Sequence, residues 1–193
     1  ETLSEVDPDM QASILEALET EKAADIIEEM SPDQAADILG ELEEETTKEI
    51  LEEMESDDKA EVAELLEFDE DTAGGMMNTE YFALPDTATV AEAVQALRGN
   101  EELVESLNTL FLVDIEERLT GVVPIARLFL HEGSMKLREL KTDSLFHVTV
   151  DETQDRVTEL VDKYNLLALP VTQHGKLAGV ITADDVITVL RQG

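Results

Sequence analysis

No cysteine occurs among the 193 residues, so disulfides and thiolate metal sites are excluded. Histidine is scarce. His131, His147 and His174 are scattered without ligand spacing, and each reads as a surface or packing residue. Zinc and other transition-metal sites therefore lack their usual donors. Positive charge is equally short: 13 Lys and Arg stand against 47 Asp and Glu, a formal net charge of −34. Such a field repels nucleic acid and anionic membrane surfaces, so neither is expected as a direct ligand. No apolar run approaches the roughly 18 residues of a membrane helix, and no signal peptide is recognisable. An enzyme is not expected either. There is no nucleophile–base pair, no phosphate-cradling glycine loop and no histidine beside an acid at a useful spacing. The natural partner of this surface is a cation.

What is present is 42% hydrophobic residues, a globular proportion, distributed over two regions of different charge. Residues 1–72 hold 28 acids and 3 bases, a net of −25, and residues 73–193 hold 19 and 10, a net of −9. The acidic region is built of twelve-residue units: "DPDMQASILEAL" (7–18), "ETEKAADIIEEM" (19–30), "SPDQAADILGEL" (31–42), "EEETTKEILEEM" (43–54) and "ESDDKAEVAELL" (55–66). Apolar residues fall late in each, as in Ile26-Ile27-Met30 and Ile38-Leu39-Leu42, which is one helical stripe. Ser31 suits an N-cap and Pro32 the first helical position. Helices of about ten residues are marginal alone, so stacked pairs sharing a core are expected, as in a helical superhelix. A single long helix is the competing reading, opposed by Pro8, Pro32 and the recurring cap signals.

Within that region Asp33 and Asp37 are four residues apart, on one helical face, with no basic residue near them in the sequence. The helix dipole favours Asp33, but Asp37 lies past the first turn and the two repel. A hard cation would remove that penalty. On spacing alone a solvated acidic surface remains the simpler reading.

The second region repeats once. "FLVDIEERLTGVVPIARL" (111–128) matches "LPVTQHGKLAGVITADDV" (169–186), pairing Val113 with Val171, Gly121 with Gly179 and Leu128 with Val186. Upstream, "AEAVQAL" (91–97) matches "DRVTELV" (155–161), with an insertion placed near "GNEELVESLN" (99–108). Each copy reads as strand, helix, strand, turn, strand, helix, an α/β unit. The second copy ends in "GVITADD", where Asp184 and Asp185 open a helix. Capping explains one acid there; a ligand role is the alternative.

The apolar strand with Pro-Val, a turn and then L-x-G-[VI]-[IV]-[ST]-x-x-D resembles the CBS domain, and two tandem copies resemble its pseudo-two-fold module. Leu169-Pro170-Val171, Gly179, Thr182 and Asp185 carry the match. In that family the Thr and Asp imply contacts to the ribose and phosphates of an adenine nucleotide such as ATP. The first copy departs, with Pro124 and Arg127 in those places. "DEDTAGGMMNTEYFAL" (69–84) resembles the junction of the MgtE magnesium channel/transporter family, where an acidic helical domain precedes a CBS pair.

The resemblance implies an α+β multi-domain chain: an all-α helical-repeat superhelical N domain over 1–72, then tandem α/β CBS domains over 73–142 and 143–193. It implies a cytosolic Mg²⁺-sensing region at the inner face of the plasma membrane, which closes on Mg²⁺ binding and gates a membrane pore lying beyond this chain. The chain is expected to begin part-way into the N domain. Implied metal ligands are Glu1, Asp33, Asp37, Asp155, Asp184 and Asp185, with Mg²⁺ ions between N domain and CBS pair and between subunits. Asn165 and Thr188 stand where acids are expected, which weakens one intersubunit site. A homodimer through the CBS domains is implied, with Leu128, Phe129, Val186, Val189 and Leu190 on the paired faces. Gly74-Gly75 is expected to be a hinge. The alternative reading is an adenine-nucleotide-sensing module, using Thr182 and Asp185, whose acidic half is only a scaffold.

Overall fold

The computed structural model describes residues 8–99 and 108–192, and it divides into a helical unit ending at Asp71 and a mixed unit beginning at Thr72. Glu1 and most of the proposed insertion at 99–108 lie outside the described residues.

The described part of the first unit holds five short helices, one per repeat: α1 (Pro8–Glu16), α2 (Thr20–Glu28), α3 (Pro32–Gly40), α4 (Glu44–Glu53) and α5 (Ser56–Leu65). A single long helix is thereby ruled out. Each helix packs on the next but one, α1 on α3, α2 on α4 and α3 on α5. The late-unit stripe goes inward: Ala23, Ala24 and Ile27 from α2, Ala35, Ile38 and Leu39 from α3, and Ile50 from α4 share one core. Alanine at the contact faces lets the helices approach, and the branched residues fill the space between. Pro32 occupies the first turn of α3 and Ser31 its N-cap position, but the Ser31 hydroxyl makes no capping bond. End groups find other partners. Thr47 Oγ1 on α4 donates to the Leu39 carbonyl at the end of α3 (2.8 Å), and the Glu28 carboxylate accepts the N–H of Glu55, where α5 starts. Lys22 and Lys48 are engaged locally, with Glu19 and Glu44, in exposed pairs. Such pairs each contribute only about 0.2–1 kcal/mol.

In the second unit a single helical turn, α6 (Ala73–Met76), leads into two copies of one topology. Copy 1 has β1 (Ala83–Pro85), α7 (Val90–Arg98), β2 (Thr109–Val113) and β3 (Leu119–Pro124). Copy 2 has β4 (Val148–Thr149), α8 (Gln154–Tyr164), β5 (Ala168–Gln173), β6 (Lys176–Thr182) and α9 (Ala183–Gln192). Each sheet has its first strand parallel and its third antiparallel to the middle one. The middle strands β2 and β5 are buried at Leu110, Phe111, Leu112, Leu169 and Val171, as central strands must be. The hairpin tips join the copies: Arg118 bridges Lys176, and Lys176 Nζ lies 2.7 Å from a Glu117 carboxylate oxygen.

Three expectations change. Copy 1 does not end in an α-helix: Ile125–Leu130 is a 3-10 turn. Copy 2 has Thr182 and Asp185 to cap its last helix; Pro124 and Arg127 supply no such pair. Gly74-Gly75 is not a free hinge, since Gly74 is buried in α6, whose Thr72 hydroxyl accepts the Gly75 N–H. Leu128 and Val186 are core residues at 2% and 5% exposure, so they cannot form an outer pairing face. The apolar groups left outside on those segments are Phe129, Leu130, Ile187 and Leu190.

The start of α7 carries a complete capping box, Thr89 and Glu92 bonding reciprocally. These hydrogen bonds, the Thr89 hydroxyl first, hold the Glu92 carboxyl below its usual 4.5. A depressed carboxyl stabilises the fold above its unfolded pKa and loses that contribution as pH falls through the folded one. Glu92→Ala should therefore lower the melting temperature at neutral pH, with the gap to wild type narrowing once pH drops below 4.5. A gap constant across that range contradicts the capping role.

Candidate functional site

On α3, Asp33 stands in the first turn and is half-buried, while Asp37 lies one turn later and is exposed. Burial of Ala35, Ile38 and Leu39 dictates this placement, because turning that stripe inward leaves positions 33 and 37 together on the outer side. The like charges cost the helix about 0.2–0.5 kcal/mol. Carboxylate oxygens one turn apart are hard donors, and Mg²⁺ needs only one or two of them because it keeps several waters. The donor chemistry therefore suits a hard divalent cation. Among the described residues no three His, Asp or Glu side chains converge on one point, so no dry cage of protein ligands is present.

The repeat contains a further pair of the same kind. Glu21 and Asp25 sit on α2 twelve residues before Asp33 and Asp37, at the same positions of their unit, and both are exposed. The "KAADI" and "QAADI" strings carry that signal in the sequence.

In copy 2, Asp185 Oδ2 accepts from the Thr182 N–H (2.6 Å) and the Thr182 hydroxyl (2.9 Å). The strand-to-helix turn is thus closed by the two residues of the motif, with Thr182 at the cap position and Asp185 three residues on. Asp184 beside it is exposed, and its carbonyl accepts the Thr188 hydroxyl (3.2 Å). Asp155 is exposed in the first turn of α8, a different element of the same copy. Asn165 ends α8 in the left-handed conformation at φ 49°, a position that suits Asn better than a β-branched residue. In copy 1, Arg127 Nη1 instead donates to the Leu140 carbonyl (2.8 Å), so the guanidinium is engaged with the chain running towards copy 2.

Residues 1–71 match the family model described as the MgtE intracellular N domain, and residues 73–131 and 137–192 each match the CBS domain. The chain belongs to the MgtE family. A magnesium transporter MgtE from Bacillus subtilis (strain 168) is 33% identical over 121 residues, 62% of this chain and 27% of the relative. The chain thus spans well under two thirds of the length of that curated relative. The cytosolic domain of the Mg²⁺ channel MgtE in complex with ATP superposes with a TM-score of 0.91 at 31% identity, over 97% of this chain and 77% of that one. The soluble part of a magnesium transporter gives 0.87 at 26% identity, over 99% and 80%. The chain accordingly has the expected class, a helical N domain followed by two CBS sheets.

The two acids at the start of α9 separate experimentally. Asp185→Ala removes the acceptor of two hydrogen bonds at a helix start and should destabilise the CBS unit by about 0.5–2 kcal/mol. Asp184→Ala should stay within about 0.5 kcal/mol. Urea unfolding followed by circular dichroism measures both, and equal losses would refute the assignment of the capping role to Asp185.

Proposed function

We propose that this chain is the Mg²⁺-sensing regulatory region of a magnesium channel or transporter. Its family supports a cytosolic location next to a membrane domain, and among the described residues no helix is long and apolar enough to cross a membrane. The observation that carries the reading is the Asp33/Asp37 pair, held on the outer face of α3 by the burial of its neighbours in a region of net −25. Mg²⁺ binds this pair and the exposed acids Asp184 and Asp155, with Asp185 and Glu1 as further ligands of the set. Without the ion, regions of −25 and −9 repel. Bound divalent ions favour a closed arrangement, and the shift is bounded by their differential affinity for it. Closure then restrains the membrane pore when internal magnesium is plentiful. The working unit is a homodimer in which Phe129, Leu130, Ile187 and Leu190, all exposed here, are covered by the second subunit. No reaction is assigned to the chain.

A second reading concerns copy 2. The Thr182–Asp185 pair is intact, and the relative with the 0.91 TM-score was solved with ATP. ATP or another adenine nucleotide binds there, and copy 1, with Pro124 and Arg127, takes none. The two ligands are compatible.

Mg²⁺ should protect the chain from protease and reduce its radius in small-angle scattering, whereas KCl of equal ionic strength should not. General screening would act through both salts alike. Asp33→Ala combined with Asp37→Ala should abolish the Mg²⁺ effect. If KCl serves as well, or the double variant still responds, these residues are not the sensor.

A further inference from the structure

The segment that enters the second unit folds mainly onto the copy it does not precede, although its Tyr81 ring meets Phe111 of copy 1 edge to face. It is laid across copy 2. Ala73 N–H donates to the Glu152 carbonyl (2.7 Å) and Gly74 N–H to the Val150 carbonyl (2.9 Å). Asn78 and Val180 exchange both backbone bonds, at 2.8 and 2.9 Å, and Tyr81 Oη donates to the Leu177 carbonyl. In the sheet order β4-β5-β6, β6 is an edge strand, so Asn78 occupies its open side. Between these anchors Met77 is 1% exposed and lies over Gly179. A Cβ at Gly179 would come within 2.7 Å of Met77 Sδ, 2.8 Å of its Cγ and 2.9 Å of the Asn78 carbonyl. Glycine at 179 is therefore what admits the segment.

The pairing ends two residues short of Thr182, whose N–H and hydroxyl both donate to Asp185. We propose that Thr72–Tyr81 is a strap that positions the Thr182–Asp185 turn, so that displacement of the chain where it leaves the acidic unit at Asp71 is felt at that turn. β6 is the mechanical link. Its Val180 is held by the strap and its Thr182 forms the turn, within one short stretch of extended backbone. Copy 1 has a counterpart, which shows the arrangement belongs to the duplicated fold: Thr142 N–H donates to the Val122 carbonyl on β3, and the Lys141 side chain covers Gly121. There, however, the strand leads to Pro124 and Arg127, which form no such turn.

The ligand side of this proposal rests on the nucleotide reading of copy 2, but its mechanical side does not. Asn78→Pro alters only the strap, deleting the N–H that Val180 accepts. Amide hydrogen exchange on the full chain should then rise at Val180 and, by tenfold or more, at Thr182, while the amides of α8 keep their protection. ATP affinity measured by calorimetry should fall at least fivefold. Gly179→Ala should act in the same direction, and Met77→Leu, which keeps the volume, should behave as wild type. If Val180 exchange rises while Thr182 exchange and ATP affinity stay unchanged, the strap does not position the turn. Loss of protection throughout α8 in both variants would likewise overturn it, by showing general unfolding of copy 2. If the wild-type chain takes up no ATP, the nucleotide reading falls and Thr182 exchange alone decides the strap.

Discussion

Mutual repulsion of carboxylates is the constraint on which the N-terminal unit is built. Residues 1–72 carry 28 acids and 3 bases, and their helices are only nine or ten residues long in the described part. Neither propensity nor surface ion pairs hold such helices against that charge. The opposing term is the shared core of Ala, Ile and Leu, where residues such as Leu15, Ile27, Leu39 and Ile50 are about 1% exposed. Burying a Leu or Ile side chain contributes about 1.5–3 kcal/mol, several times the cost of one repelling acid pair. The unit can therefore keep an acidic exterior without unfolding.

The second unit solves a different problem, that of differentiating two copies of one fold. Both copies have the same strand order, and both have a glycine on the third strand under a crossing segment. They diverge at the end of that strand. Thr182 and Asp185 close a capped turn and a ten-residue helix follows; Pro124 and Arg127 leave a six-residue 3-10 turn. Pro124 and Arg127 thus stand where copy 2 has the capping pair, and the element that follows is shorter, whereas the outward position of Phe129 has its counterpart in the exposed Ile187 of copy 2. The asymmetry suits a module in which one copy holds a ligand and the other does not.

Much of this was legible in the sequence because the informative patterns are local. The twelve-residue period with late apolar residues marks the five helices, and the separation of 58 between the copies marks the duplicated sheet. Three features were not legible. Capping by Asp185 rather than Asp184 depends on which carboxylate faces the Thr182 N–H. The burial of Leu128 and Val186 depends on how each segment is rotated against its sheet. Gly74-Gly75 reads as a hinge because two glycines permit one, yet contacts with Glu152 and Val150, far along the chain, fix the turn. In each case the deciding partner is non-local or a matter of rotation, which composition and period do not encode. The Asp33/Asp37 pair was legible as geometry, since four-residue spacing on a helix places both acids on one face.

Mg²⁺ held at defined sites behaves differently from counterions merely collected by an acidic surface. Isothermal titration of Mg²⁺ into the chain, in a large excess of KCl, distinguishes the two most directly. Site binding predicts a saturable heat that persists in KCl and is reduced in the Asp33→Ala, Asp37→Ala variant. A heat that disappears in KCl, or is the same in that variant, would contradict it.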